Sequence, residues 1–330
     1  MAKPARYGFY AMALIRQLSQ RFALFLSLCA LAVVGGMSLF SPAVRAYSIA
    51  HKPRIGPPTT CLRRPAFVAQ FKVEGDVFID MDLNGPVLRW REPRGARVYQ
   101  PANWLIAGNT AGEALDRDGN IYVFSAPYIN LERNPPWKQN YLYRIGSRTG
   151  LMSLFMKLPA EHPPTTANPF GIMGLAYDCD THSLYVSSVA GSSYDEERGR
   201  IFQIDLAQRT IRDILPGRDA FGLMVYQGSK DKRLYFGSAR ESGVWSISLD
   251  EDGGFRGEPR LAFRLAEAPG GQDERAMRIL FPQPQVMEVV GIPFFYSLRV
   301  SYDALGRNYF YRYDPETDQW QFQQVQIRKP

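Results

Sequence analysis

Few side chains in this 330-residue chain are placed to do chemistry, and they are scattered. Its three histidines, His51, His162 and His182, include no pair at metal-ligand spacing, and Cys29, Cys61 and Cys179 form no Cys-x-x-Cys motif. No Gly-x-Ser-x-Gly elbow and no phosphate-cradling glycine motif occurs. Gly191-Ser192-Ser193 reads as a loop tip, and Asp80 with Asp82 alternates on one solvated strand face. Glu113 is different. It lies in Gly112-Glu113-Ala114-Leu115-Asp116, in a slot that Leu175 and Leu223 hold in related phrases. A carboxylate in a leucine slot is buried, which raises its pKa unless a cation or donors attend it. Two readings follow: a channel-lining acid or metal ligand, or a structural hydrogen bond or one-residue shift in the alignment.

The elements that position these residues come from a repeat. Gly112 to Asp116 precedes Asn120-Ile121-Tyr122-Val123, and Gly174-Leu175-Ala176-Tyr177-Asp178 precedes Leu184-Tyr185-Val186. Looser copies run Gly222 to Val225 before Leu234-Tyr235-Phe236, and Val286 to Val289 before Phe294-Phe295-Tyr296. A period of roughly fifty residues belongs to propellers and solenoids. Five third strands are anchored by Trp90, Ile145, Ile204, Ile247 and Tyr313, each before a polar turn. The expected fold is all-β: a single β-propeller of four-stranded blades, with five visible repeats. A sixth blade built from 47–64 and another strand is the alternative. The opening copy, 67–100, is the most degenerate.

Loop lengths divide the faces. Turns from first to second and from third to fourth strands are short, whereas 125–140, 159–169, 189–199 and 266–277 are long, and in a propeller all of these share one end of the channel. Long loops on a rigid scaffold are where function sits. That face is expected to present Tyr128, Asn130, Glu132, Arg133, Trp137, His162, Tyr194 and Asp195, with Glu161, Glu196, Glu197, Asp273, Glu274 and Arg275 around them. Carboxylates, aromatics and arginines together suit a small polar molecule or a protein partner.

Residues 1–46 carry five bases, no acid, and an apolar run from Phe22 to Phe40 before Ala43-Val44-Arg45-Ala46. This reads as a signal peptide cleaved near Ala46, with an uncleaved anchor as the alternative. A Pro-rich segment, 47–66, and the propeller, 67–330, follow. The net charge of +7 lies mostly in the leader, which leaves about +2 and no basic stripe, so nucleic acid is not an expected partner. Export to the periplasm or the extracellular space places Cys61 and Cys179 in an oxidising compartment, where they are expected to form one disulfide.

The two clearest repeats, over 111–249, resemble the blades of gluconolactonase-like, NHL-type and strictosidine-synthase-like propellers, which read Gly-Leu-Ala-x-Asp-x-x-Gly-Asn-Leu-Tyr-Val. The resemblance implies the fold. Lactonases of that group hold calcium at the axis through a Glu, an Asn and an Asp, but the matching Asn positions here read Ala111, Met173 and Phe221. Two functions are carried forward. The first is an exported, non-catalytic propeller that binds a ligand or partner on its long-loop face. The second is a calcium-dependent lactonase- or esterase-like hydrolase acting at the channel, with Glu113 as one ligand.

Overall fold

The computed structural model describes residues 54–328, apart from 59, 74, 83–84, 94, 127–131, 133 and 298–305. The leader, its cleavage near Ala46 and the alternative anchor lie outside these residues. Among the described residues no helix is long and apolar enough to cross a membrane.

The chain forms a five-bladed β-propeller of antiparallel sheets. The first blade is β1 (Val77–Asp82), β2 (Gly85–Glu92) and β3 (Gly95–Tyr99). The second is β4 (Thr110–Leu115), β5 (Ile121–Ser125), β6 (Tyr141–Ile145) and β7 (Met152–Lys157). The third is β8 (Ile172–Asp178), β9 (Ser183–Ser188), β10 (Arg200–Asp205) and β11 (Thr210–Pro216). The fourth is β12 (Ala220–Gln227), β13 (Lys232–Ser238), β14 (Gly243–Leu249) and β15 (Phe255–Arg264). The fifth is β16 (Arg275–Gln283), β17 (Val286–Ile292), β18 (Arg307–Asp314) and β19 (Gln319–Ile327). Each blade runs outward from its first strand.

The recurrent phrase has a geometric meaning. Glu113 stands opposite Val123 as Leu175 stands opposite Val186 and Ile279 opposite Val289, each just after a bulge. Glu113 therefore does occupy the leucine slot, and no alignment shift explains it. Elsewhere that slot packs against the preceding blade: Leu223 lies in the core shared by the third and fourth blades, and Ile279 in that of the fourth and fifth. The glycine before it faces the following blade at close range. A Cβ on Gly174 would stand 2.8 Å from the Phe221 carbonyl oxygen, and one on Gly222 2.6 Å from the Arg278 Cα, so no side chain fits. The closing Asp ties the turn: Asp116 Oδ1 accepts the N–H groups of Asp118 (2.9 Å) and Asn120 (2.8 Å), and its Oδ2 accepts the Tyr122 hydroxyl (3.1 Å).

Three expectations are corrected. Of the segment 47–64, residues 47–53 lie outside the described residues; the described ones supply a single bridge, Gly56 with Gln227, and no sixth blade. In the fifth blade Val286–Ile292 is the second strand, because β16 precedes it, and Phe294 to Tyr296 is a loop. Among the described residues the first blade has three strands, not four. Its β1 also runs opposite to the other leading strands. The Thr110 hydroxyl, at the start of β4, donates to Met81 Sδ near the end of β1 (3.0 Å), while Val77 and Leu115 share a cleft at the other end. In direction β1, β2 and β3 match the second, third and fourth strands of the regular blades. What the first blade lacks among the described residues is the innermost strand.

The N-terminal strap crosses the short-turn face. Gly56 exchanges backbone hydrogen bonds with Gln227, Arg63 N–H reaches the Asp116 carbonyl, and Phe67 N–H reaches that of Ser147 (2.7 Å). Cys61 and Cys179 are disulfide-bonded with their Cα atoms 5.7 Å apart. Cys179 is buried rather than exposed as a turn residue would be, because the strap covers it.

Candidate functional site

The long connections meet at one end of the molecule. Ile172 N–H donates to the Gln139 carbonyl, Val189 N–H to that of Gly171, and Arg218 N–H to that of Gly199. The Asn168 amide crosses between loops, donating to the carbonyls of Val189 (3.1 Å) and Ser192 (2.7 Å).

Asp219, just before β12, joins more segments than any of these. Its carboxylate is fully buried. Oδ1 accepts the Ser192 hydroxyl (2.5 Å) and the Gly199 N–H (2.9 Å), while Oδ2 accepts Arg240 Nε (2.9 Å) and the Tyr296 hydroxyl (2.5 Å). Arg240 extends the network to the carbonyls of Ser193 (2.9 Å) and Tyr194 (3.0 Å), with its guanidinium 5.3 Å over the Tyr296 ring. A buried charge is tolerated when it is paired and its lone pairs are filled, and here both conditions hold. Burial, then the Asp219 charge beside it, pushes the Tyr296 phenol far above its ordinary pKa, so the phenol stays neutral and donates.

Next to this node lies a cavity of about 590 Å³, walled by His162, Pro163 and Ala167 from one loop, Ser192 to Tyr194 from a second, and Phe295 with Tyr296 from a third. Most of its polar atoms are committed internally. Asn168 and the Ser192 hydroxyl are spent as described, Ser193 Oγ accepts the Glu196 N–H (3.1 Å), and Thr165 Oγ1 accepts that of Ala167 (3.2 Å). The rings of Tyr194 (82% exposed) and Phe295 (52%) and the imidazole of His162 are left to face the cavity. Its size suits one small ligand, and its chemistry suits a flat apolar body with one polar group.

Of the residues expected on this face, His162 and Tyr194 line the cavity. Asp195 and Glu132 are exposed outside it. Trp137 is exposed at another loop, edge-on to Tyr141 at 5.7 Å. Tyr128, Asn130 and Arg133 lie outside the described residues. Glu274 corrects the expectation of a surface acid: it is buried, paired with Arg307 and bonded by the Tyr309 hydroxyl (2.9 Å). Asp219, Asn168, Arg240, Phe295 and Tyr296 are not among the site residues that the sequence pattern singles out. A lone Asp between Arg218 and the apolar Ala220-Phe221 was the available signal for the first. The two aromatics were hidden by their assignment to a strand.

Glu113 lies apart, on an innermost strand, in a cleft that it shares with Arg64, Val77 and Leu115. Its carboxylate is partly buried, with Arg278 Nη2 at 3.7 Å. Burial raises its pKa above the ordinary carboxylate range, the Arg278 charge opposes that, and Asp80 adds to it. Toward the long-loop end the channel is filled by Phe221, Met173 and Met277 with Phe170 and Phe294. Among the described residues no three His, Cys, Asp or Glu side chains come together to hold a metal. One carboxylate beside a guanidinium is a poor donor set for calcium.

No family model and no curated protein matches the chain. Fifty-one solved chains match it in structure. A luciferin-regenerating enzyme aligns at 12% identity with a TM-score of 0.42, over 77% of this chain and 74% of that one. The N-terminal domain of Nup159 aligns at 10% identity with a TM-score of 0.38, over 82% of this chain and 64% of that one. An S. cerevisiae assembly of Dbp5 with Nup159, Gle1, IP6 and ADP matches equally well. The chain thus spans less than two thirds of the Nup159 structures. These are likenesses of fold alone.

Proposed function

We propose that the protein is an exported, non-catalytic propeller that binds a small molecule in the long-loop cavity. The observation that carries this reading is the cavity's construction: one buried carboxylate, Asp219, fixes the segments around it, and the internal hydrogen bonds leave aromatic faces and the His162 imidazole for a ligand. Preorganised walls lower the ordering cost of binding. The ligand class is a mono- or bicyclic aromatic with one hydrogen-bonding or anionic group, which makes it less polar than the loop composition alone suggested. Export is supported by the leader pattern and agrees with the disulfide.

The test is a thermal-shift and ligand-observed NMR screen of purified protein against aromatic fragments bearing a carboxylate, hydroxyl or amide. Hits should bind at least tenfold more weakly to Tyr194→Ala and Phe295→Ala, and unchanged to Trp137→Ala. A screen without saturable binders, or hits indifferent to both cavity variants, would refute the proposal.

A further inference from the structure

The seam between the fifth and first blades differs from every other junction. β1 pairs only with β2, so one edge of a six-residue strand has no strand partner among the described residues. Such an edge is a template for strand addition. Phe78, opposite Arg89, and Val98, opposite Arg89 from β3, share a sheet face, and they are 60% and 55% exposed. Side chains change at the same place. Arg278 stands in the fifth blade where regular blades carry the close-packed glycine, and Glu113 stands in the second where they carry leucine. The two reach toward each other across the position an innermost strand holds elsewhere and meet at 3.7 Å.

We propose that this seam is a docking slot for an extended segment of a partner protein, which adds to β1 as the innermost strand of the first blade. Charge and alternation define the segment. Successive side chains of a strand point to opposite faces, so one residue meets Glu113 on the second blade and its neighbour meets Arg278 on the fifth. The fitting sequence has an adjacent basic–acidic pair flanked by β-branched or aromatic residues, over the six or seven positions that β4 and β8 occupy. Entry separates an ion pair that is long and partly hydrated, hence weak, and passes its two charges to the incoming strand.

The probes are seven-residue valine–threonine peptides with a central lysine–glutamate pair in either order, measured by fluorescence anisotropy on the full chain. One order should bind saturably, at least tenfold more tightly than its version N-methylated at alternate amides. Glu113→Gln and Arg278→Gln should each weaken it at least fivefold, Arg278→Lys should retain it, and Tyr194→Ala should leave it unchanged, with melting temperatures confirming that each variant is folded. Failure of both peptides to bind, equal binding of the N-methylated form, or indifference to both charge variants would overturn the proposal. So would self-association of the chain, seen by sedimentation, that Glu113→Gln and Arg278→Gln abolish, since the occupant is then a second copy.

Discussion

The junction between the third and fourth blades and the seam between the fifth and first solve the same problem with opposite residues. At the regular junction Gly174 lets the Phe221 backbone of the next blade come within contact distance, and Leu223 is buried among Ala176, Tyr185 and Phe236. At the seam the glycine slot is filled by Arg278 and the leucine slot of the second blade by Glu113. Where an innermost strand is present, each slot is dictated by packing. Where it is absent from the described residues, long charged side chains reach across the distance and remain partly hydrated. The same repeat position thus reports whether a neighbour is there.

The sharpest way to break this comparison is to exchange the slots. Leu223→Glu would bury a carboxylate in the core of the third and fourth blades with no cation beside it, at a cost of about 4 kcal/mol or more. Glu113→Leu, the reverse change, should be neutral or mildly stabilising. Circular dichroism and thermal melts compare the two directly, and equal destabilisation by both would show that the slots are not different in kind.

The disulfide gives the next largest effect. The Cys61–Cys179 bond closes a loop with a sequence separation of 118 and holds the strap that leads from the fourth blade to the first. The chain-entropy model assigns such a loop about 4 to 5 kcal/mol. Cys61→Ser with Cys179→Ser should therefore lower the melting temperature by about 10 °C. The loss should match that of the reduced wild-type protein, and a fall of only a degree or two would mean that the strap is held by its backbone contacts alone.

At the long-loop end, Asp219→Asn keeps the shape and removes the charge that Arg240 and two hydroxyls attend. Breaking a buried pair while leaving its cation in place costs about 3 kcal/mol. Hydrogen exchange should show the loss locally, in 191–199 and 293–297, with the first and second blades unaffected. Uniformly faster exchange would make Asp219 a general core residue.

The regular blades were legible because packing dictates them. Gly174, Leu175 and Asp178 each have one physical job, so the phrase from Gly174 to Asp178 falls inside β8, the anchor Ile204 inside β10, and Glu113 in the leucine slot. In the fifth blade β16 has Arg278 where the phrase has glycine, so the sequence phrase falls instead on the next apolar run, Val286 to Val289. The three-stranded first blade was invisible for a related reason: strand direction leaves no mark in composition. Loop length points to the end of the molecule where His162 and Tyr194 line a cavity, but a pairing such as Asp219 with Tyr296, 77 residues apart, is made only in space.

The smallest effect is the most diagnostic of the seam, because it appears only as pH rises. Folding raises the Glu113 pKa above its unfolded value, chiefly through burial, so the fold favours the protonated form. Below the ordinary glutamate range, near pH 4, folded and unfolded chains both hold the proton and the residue contributes no penalty. As pH rises through that range the unfolded chain ionises first, and stability falls until the raised folded pKa is passed. Glu113→Gln should accordingly match wild type at pH 3.5 and be more stable at pH 7.5, by about 1 kcal/mol or less given the partial hydration of the carboxylate. Arg278→Gln removes the opposing charge, so at pH 7.5 it should be less stable than wild type and lie further below Glu113→Gln than wild type does. Denaturant titrations of the three variants at both pH values measure this. A Glu113→Gln variant less stable than wild type at pH 7.5 would mean that the Arg278 pair outweighs burial and that the seam is a closed salt bridge instead of an open slot.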